Sequence, residues 1–523
     1  MKFILFINLT VLALLSCSKE NITQTPQQQA TVAAAATSSQ TFYSYGLKGD
    51  GTSDDTDALQ KLLNESETIY LKSGTYIINQ TISIKAGRKI YGETGTVIKA
   101  GPKMTGTLLS NGRYFIISNA DNVMIHQLKF TQSDAAHQWS NWSNACIFVQ
   151  DSKNTVIEYS NFNFHLPYST SGMEAVWVSG IKSLNTTIRN NQINTLGIKY
   201  AENGADATVV EGNTLINAYS NALTANGNHS SDYSTGCRLT NNTITNAGRM
   251  GIEDWGKVDG SVIDRNRITG TGKDPKQALD GIGLSAVGTN TKITNNTISD
   301  TKLYCIEVRG NYAPTVTGNQ MDKSATATGI ILNLTFPVPE KVKTDTYAAI
   351  SGNKLKGCRI GLHVFGDYTG YARIQQNVFT DSQNSGISIE SGARTYQLEI
   401  GNNRFSYSAP AAQDRFAVFT YTKYAPQTAN QLIKLSNDTI TYATSAAKGQ
   451  GVDMGFVIRT DKAVISGNVV QGNNNKSAKG VPVYAFTAYG AKPSGIQFLN
   501  NKIYGATTDL SGYVNKVSSG NNF

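Results

Sequence analysis

The sequence predicts a β-solenoid, an all-β fold in which short coils stack along one axis. Three observations predict it. First, Gly251-Ile252-Glu253-Asp254-Trp255-Gly256, Gly281-Ile282-Gly283-Leu284-Ser285 and Ile306-Glu307-Val308-Arg309-Gly310 each alternate an apolar residue with one that can face solvent, the period of a strand. Second, each follows an Asn-centred phrase, Asn242-Thr243-Ile244, Asn266-Arg267-Ile268 or Asn296-Thr297-Ile298. Third, such phrases recur over most of the chain, at Asn161, Asn191, Asn213, Asn242, Asn266, Asn296, Asn319, Asn353, Asn377, Asn403, Asn437, Asn468 and Asn501, with spacings of 22 to 34 residues by subtraction. Periods of this length belong to stacked or circular arrays. Helical repeats need amphipathic runs of ten or more residues, whereas these runs are short, rich in Val, Ile, Thr and Phe, and broken by Gly and Asn.

Stacking places equivalent residues of successive coils about 4.8 Å apart, the spacing of paired strands. Inward side chains then form an apolar column. An Asn at the same bend of every coil can hydrogen-bond along the stack and satisfy turn backbone that would otherwise be orphaned. The Asn set is therefore read as structural.

The chain has 523 residues, 39% hydrophobic and 16% charged, with 48 Gly and 25 Tyr, which suits one long repeat domain over residues 41–523. Residues 1–16 carry an early Lys, an apolar run and then small residues, the pattern of a signal peptide. Leu14-Leu15-Ser16-Cys17 resembles a bacterial lipoprotein box, which makes Cys17 the expected lipidation site and residues 17–40, rich in Gln, Ala, Ser and Thr, a flexible tether. No later segment has the length of a membrane span, so anchoring is expected through lipid alone, in a bacterial cell envelope. Cys146, Cys237, Cys305 and Cys358 are widely spaced and read as small apolar residues. A net charge of +9 and the absence of an arginine-rich helix or nucleic-acid motif make an acidic polysaccharide the expected partner and nucleic acid an unexpected one. Subunit number is not readable from the sequence.

Tyr45 to Gln60 combines a Gly-rich turn with Asp50, Asp54 and Asp55, and places Thr56 to cap an amphipathic run to Leu63. Strand-like Ile69-Tyr70-Leu71 and Gly74 to Ile78 follow. This string resembles the opening of pectate-lyase-like proteins, and with the coils the resemblance covers roughly residues 41–523. It implies a right-handed parallel β-helix with a short N-terminal capping helix. The superfamily includes polysaccharide lyases, glycoside hydrolases, uronan epimerases and phage tailspikes, so activity has to come from the site.

Superposing the coils by their closing Gly turns the alternation into columns. One outward column contains Trp177, Lys199, Glu253, Gly283, Glu307 and His363; a second contains Ala201, Asn226, Trp255, Ser285, Arg309 and Asn333. The inward column between them is mostly aliphatic, and Asp254 is its one carboxylate, which predicts an outward bulge, a partner, or a raised pKa. Asp280 lies close by on the next coil. Glu253, Asp254, Asp280, Glu307, Arg309 and Lys199 are the expected catalytic set. Trp177, Trp255, Asn226, His229, Asn333 and His363 are expected to bind substrate. All four tryptophans, Trp139 and Trp142 included, fall within residues 139–255. Residues 340–347 and 406–430 interrupt the repeat and are expected to be loops.

Two cleavage chemistries suit this set. A lyase neutralises a uronate carboxylate and removes the C5 proton; Arg309 or Lys199 suits the base, and Ca²⁺ is possible, held by Glu253, Asp254, Asp280 and Glu307. This reading leads, because of the basic charge. A glycoside hydrolase needs two flanking carboxyls, and Glu253 and Glu307 fall two coils apart. A non-catalytic surface glycan-binding protein is the third reading. The Asp-Pro-His-Glu string of alginate epimerases and the Asn-Thr-Asp and Gly-His-Gly strings of polygalacturonase-type hydrolases do not occur.

Overall fold

Three short strands per coil, joined by two tight bends, are what the alternating phrases build. In one coil they are Thr187–Arg189, Gln192–Asn194 and Gly197–Glu202. A computed structural model describes residues 45–522 except 105–111, 133–143, 169–171, 227–232, 310–312, 323–325, 334–346, 366–370, 391–396, 410, 421–431, 443–449, 461, 478, 489–492 and 514. Its strands stack in parallel into three long sheets of 16 to 17 strands, a right-handed parallel β-helix. Cys17, Trp139, Trp142 and His229, with the signal peptide and tether, lie outside the described residues. So does most of 340–347, but 406–430 is only partly a loop, since Arg415–Thr420 is a strand of the third sheet.

Helix α1 (Thr56–Glu65) covers the N-terminal end and buries Leu59, Leu62 and Leu63. Its cap is Asp55 rather than the expected Thr56, and the Asp55 carboxylate turns back to accept the backbone N–H groups of Lys48 (2.6 Å) and Gly49 (3.1 Å). The Gly-rich opening is thereby tied to the helix start.

The interior is a set of columns. In the first sheet Ile157, Ile188, Val210, Leu239, Ile263, Ile293, Val316 and Ile350 occupy one position on successive coils. In the second, Phe130 stacks on Phe162 and Phe379 on Phe405, each pair with ring centroids 4.9 Å apart. Each coil buries its apolar residue against the same position above and below, at roughly 25 cal/mol per Å² removed from water. The four cysteines are free and buried among these side chains. Among the described residues no helix is long and apolar enough to cross a membrane.

The Asn ladder runs at the bend between the first two strands. Asn191 donates its backbone N–H (3.0 Å) and its Nδ2 (2.9 Å) to Asn213 Oδ1, and Nδ2 also reaches Ile157 O (3.0 Å). Asn213, Asn242, Asn266, Asn296, Asn319, Asn353, Asn377, Asn403, Asn468 and Asn501 repeat this pattern. The residue before each is left-handed, for example Asn190 (φ 54°), Gly212 (φ 64°) and Arg265 (φ 54°), so two neighbouring positions both favour Asn. That ambiguity explains two corrections. Ser160, not Asn161, donates its backbone N–H to Asn191 Oδ1 (2.9 Å), and Asn437 is the left-handed residue (φ 57°) before the true ladder member, Asp438.

Asp438 Oδ1 accepts from Asn403 as an amide oxygen would, but its Oδ2 stands where every neighbour carries an NH₂ and has no hydrogen-bond partner. Burial pushes the carboxyl up to about 7 against the two Asn403 hydrogen bonds that favour the anion. The neutral acid mimics Asn; the carboxylate does not. An unfolded Asp titrates near 3.9, so between about pH 4 and 7 the folded chain binds the extra proton and stability falls as pH rises. Asp438→Asn is therefore expected to raise the denaturant midpoint at pH 8 and to change it least at pH 4, read from urea unfolding at both values.

Candidate active site on the third sheet

The outer face of the third sheet collects most of the predicted site residues. Its register runs Trp177, Lys199, Thr224, Glu253, Ser285, Glu307, Ile331, His363 on successive rungs. Ser285 replaces the expected Gly283. In Gly281-Ile282-Gly283 the glycine equivalent to Gly251 is the second: the Ile252 N–H bonds to Gly283 O (3.0 Å), and a Cβ on Gly251 would stand 2.5 Å from that oxygen. Only glycine admits the next coil so closely.

Glu253 and Glu307 thus lie two rungs apart with Ser285 between them. Glu253 accepts from Arg249 Nη1 (3.0 Å) and Asn221 Nδ2 (2.6 Å), and Arg249 Nε donates to Asp280 Oδ2 (3.2 Å). Glu307 Oε2 accepts from Ser285 Oγ (2.7 Å). Burial raises both carboxyl pKa values, opposed by Arg249 at Glu253 and by Ser285 and Arg309 at Glu307; Asp280 pushes both up, and Glu307 also acts on Glu253. Neighbouring desolvated carboxyls are a recurrent feature of acid–base sites. Arg309 lies 5.5 Å from the ring centre of half-buried Trp255, with Asn333 beside it on the next rung, and Asn226 pairs with Trp255. His363 Nε2 lies 2.9 Å from Glu390 Oε1, and burial lowers its pKa.

Asp254 does not join them. It keeps the inward position, fully buried, and accepts from Tyr200 Oη (2.6 Å), Ser261 Oγ (3.1 Å) and Thr291 Oγ1 (3.5 Å), with burial raising its pKa. Of the three options the sequence leaves open, the structure takes a partnered, desolvated carboxyl and no bulge. The expected Ca²⁺ donors therefore do not converge: Asp254 faces the core while Glu253 and Glu307 face outward. Among the described residues no group of three or more His, Cys, Asp or Glu is placed to hold a metal ion.

Trp177 is also not the open platform expected of it. It is 5% exposed, edge-on to Phe148, with Lys199 Nζ 4.6 Å from its ring centre. A cluster that sequence reasoning missed surrounds it. Glu174 accepts from Tyr219 Oη (2.7 Å), with Lys199 Nζ at 3.8 Å. A bulge re-aims the strand after Lys199, so that Glu202, and not Ala201, stands opposite Ser179. Burial and Glu174 push Glu202 up to about 7 against Lys199 and the Trp177 indole N–H. Strict two-residue alternation hides any residue exposed by a bulge. Arg249 escaped for a different reason, lying before its strand rather than in it.

The family model for rhamnogalacturonase A/epimerase, pectate lyase-like proteins matches residues 42–273, which take in the N-terminal cap and the coil that carries Glu253. The match extends over less than half of the chain. Among solved structures, the chain is similar to the Azotobacter vinelandii mannuronan C-5 epimerase AlgE4 A-module, at 14% identity over 81% of this chain and 99% of that one, TM-score 0.41. The bacteriophage Phi29 gene product 12 N-terminal fragment matches at 11% identity over 94% and 95%, TM-score 0.47. A Penicillium expansum protein described as a non-secreted LysM effector is 42% identical over 60 residues; the match spans 11% of this chain and 5% of that relative. Nothing about activity transfers at these identities and coverages.

Removing Asp254 leaves the Tyr200 hydroxyl unpaired in the core. Asp254→Ala is expected to cost about 1–3 kcal/mol of stability without changing the rate per folded molecule, measured by denaturant unfolding alongside assay of the same preparation.

Proposed function

We propose that the chain hydrolyses a glycosidic bond in an acidic polysaccharide at the outer face of the third sheet. The observation that carries this reading is the pair Glu253 and Glu307, two rungs apart on one face with both pKa values raised. Two rungs are about 9.6 Å between backbones, and inverting glycosidases hold their carboxyls about 6.5 to 9.5 Å apart.

Roles follow from the partners. Glu253 is ion-paired with Arg249 and also accepts from Asn221, which favours its carboxylate and makes it the base. Glu307 has a neutral hydroxyl as its direct partner, and Ser285 occupies one oxygen, leaving the other to carry a proton. Glu253 takes a proton from water as the water oxygen bonds to the anomeric carbon. Glu307 gives its proton to the leaving sugar oxygen as the glycosidic bond breaks. Lys199, Arg249 and Arg309 along the same face, within a chain of net charge +9, favour an anionic polymer. The same row of cations favours elimination from a uronate as the second reading. Export and lipid anchoring through Cys17 would bring this face to extracellular or periplasmic polysaccharide.

On a panel of acidic polysaccharides, new reducing ends are expected without the ultraviolet absorbance of an unsaturated uronate. Glu253→Gln and Glu307→Gln should each lower kcat by about 10²–10⁴-fold. Because the Glu307 carboxyl titrates above the ordinary carboxylate range, the alkaline limb of the pH profile should lie above that of an unperturbed carboxyl. Absorbance growing with product would select elimination, and no new ends on any substrate would leave a glycan-binding protein.

A further inference from the structure

A second place on the molecule has the composition of a sugar site. At the bend between the second and third sheets, His165, Leu166, Pro167, Tyr168, Asn194, Thr195 and Asn217 line a cavity of about 510 Å³. Small-molecule sites usually enclose about 300–1,000 Å³, largely apolar with a few placed polar groups. The floor is shaped by stacked bends. Thr195 (φ 65°) and Asn217 (φ 56°) are left-handed on successive coils, and Thr195 Oγ1 accepts the Leu166 N–H (3.3 Å). Tyr168 is 37% exposed and anchored by its hydroxyl on Asn246 O (3.4 Å).

The polar groups are half used. Asn194 donates Nδ2 to Asn163 Oδ1 (3.3 Å) and Phe164 O (3.1 Å), and Asn217 Oδ1 accepts from Asn246 Nδ2 (3.4 Å). Among the described residues nothing bonds Asn194 Oδ1, Asn217 Nδ2 or the His165 ring. One acceptor, one donor and an imidazole therefore surround an aromatic ring and two apolar side chains. That combination matches a pyranose, with an apolar C–H face and a rim of hydroxyls. The lining has no Lys, Arg, Asp or Glu, and nearby Lys273 is paired with Asp300 (2.7 Å), so a carboxylate has no counter-ion here. The cavity abuts the segment that carries Arg249: a Cβ on Gly248 would stand 3.0 Å from the Tyr168 ring, and Arg249, the partner of Glu253, is the next residue.

We propose that this cavity binds a neutral pyranose unit of the polysaccharide, so that the substrate carries neutral sugars beside its anionic ones. The proposal rests on the hydrolase reading for its substrate, but its test does not. Full-length Glu253→Gln protein is titrated with neutral oligosaccharides, followed by calorimetry and by the His165 imidazole NMR signals, with and without Tyr168→Ala and His165→Ala. Losing the aromatic contact together with its apolar area should weaken binding about tenfold with thermal unfolding unchanged. On a cleaved heteropolysaccharide, Tyr168→Ala and His165→Ala made in the protein that keeps Glu253 should raise KM about tenfold and leave kcat within about twofold. Binding that the variants leave unchanged, or no binding of any neutral sugar, overturns the site. A failure of cleavage alone bears on the hydrolase reading and not on this one.

Discussion

Buried asparagine amides set the rung on which every outward side chain of this β-helix stands. Each ladder Asn spends its Oδ1 on the neighbouring coil's backbone and side-chain N–H and its Nδ2 on a carbonyl one coil away, so no bend in the stack keeps an orphaned polar group. Buried unsatisfied groups cost about 1–3 kcal/mol each, and over a dozen coils that penalty locks the register. Glu253, Ser285 and Glu307 inherit their spacing from the ladder on the other side of the coil. Asp438 marks where the ladder depends on protonation, because a carboxylate offers no donor to the chain of amides.

The same stacking governs the electrostatics of the outer face. A side chain on a long parallel sheet is flanked by neighbours on the rungs before and after it, so even an outward carboxyl such as Glu253 is 5% exposed. Desolvation then raises Glu174, Glu202, Glu253 and Glu307 together, while Lys199, Arg249 and Arg309 keep the row from accumulating charge. The fold supplies carboxyls with raised pKa values without a dedicated apolar pocket. Asp254 illustrates the complement: facing inward, it is held by three hydroxyls, those of Tyr200, Ser261 and Thr291.

Much of this was legible in the sequence, and what was missed lies in irregular segments, at ambiguous bends and in contacts between distant coils. Two-residue alternation and recurring Asn gave the solenoid, and Glu253, Glu307 and Arg309 were placed on one face because their strands are regular. Irregular segments broke the method. The doubled glycine at Gly281 and Gly283 shifted one coil by two residues, and the bulge at Ala201 concealed Glu202. The two Asn-favouring positions at each bend exchanged Asn437 for Asp438. Whether Trp177 offers its face to a sugar or packs it against Phe148 depends on coils more than 25 residues away in the chain, which no local pattern encodes. The corner cavity was equally hidden, because its lining joins two successive bends to the segment at His165.

The claim that two carboxyls two rungs apart do the chemistry is tested most directly by the stereochemistry of the new end. Proton NMR of an oligosaccharide, recorded within the first turnovers and before mutarotation, reports which anomer forms. The spacing of Glu253 and Glu307 predicts the inverted anomer. A retained anomer, or a vinylic proton from an unsaturated uronate, would contradict it.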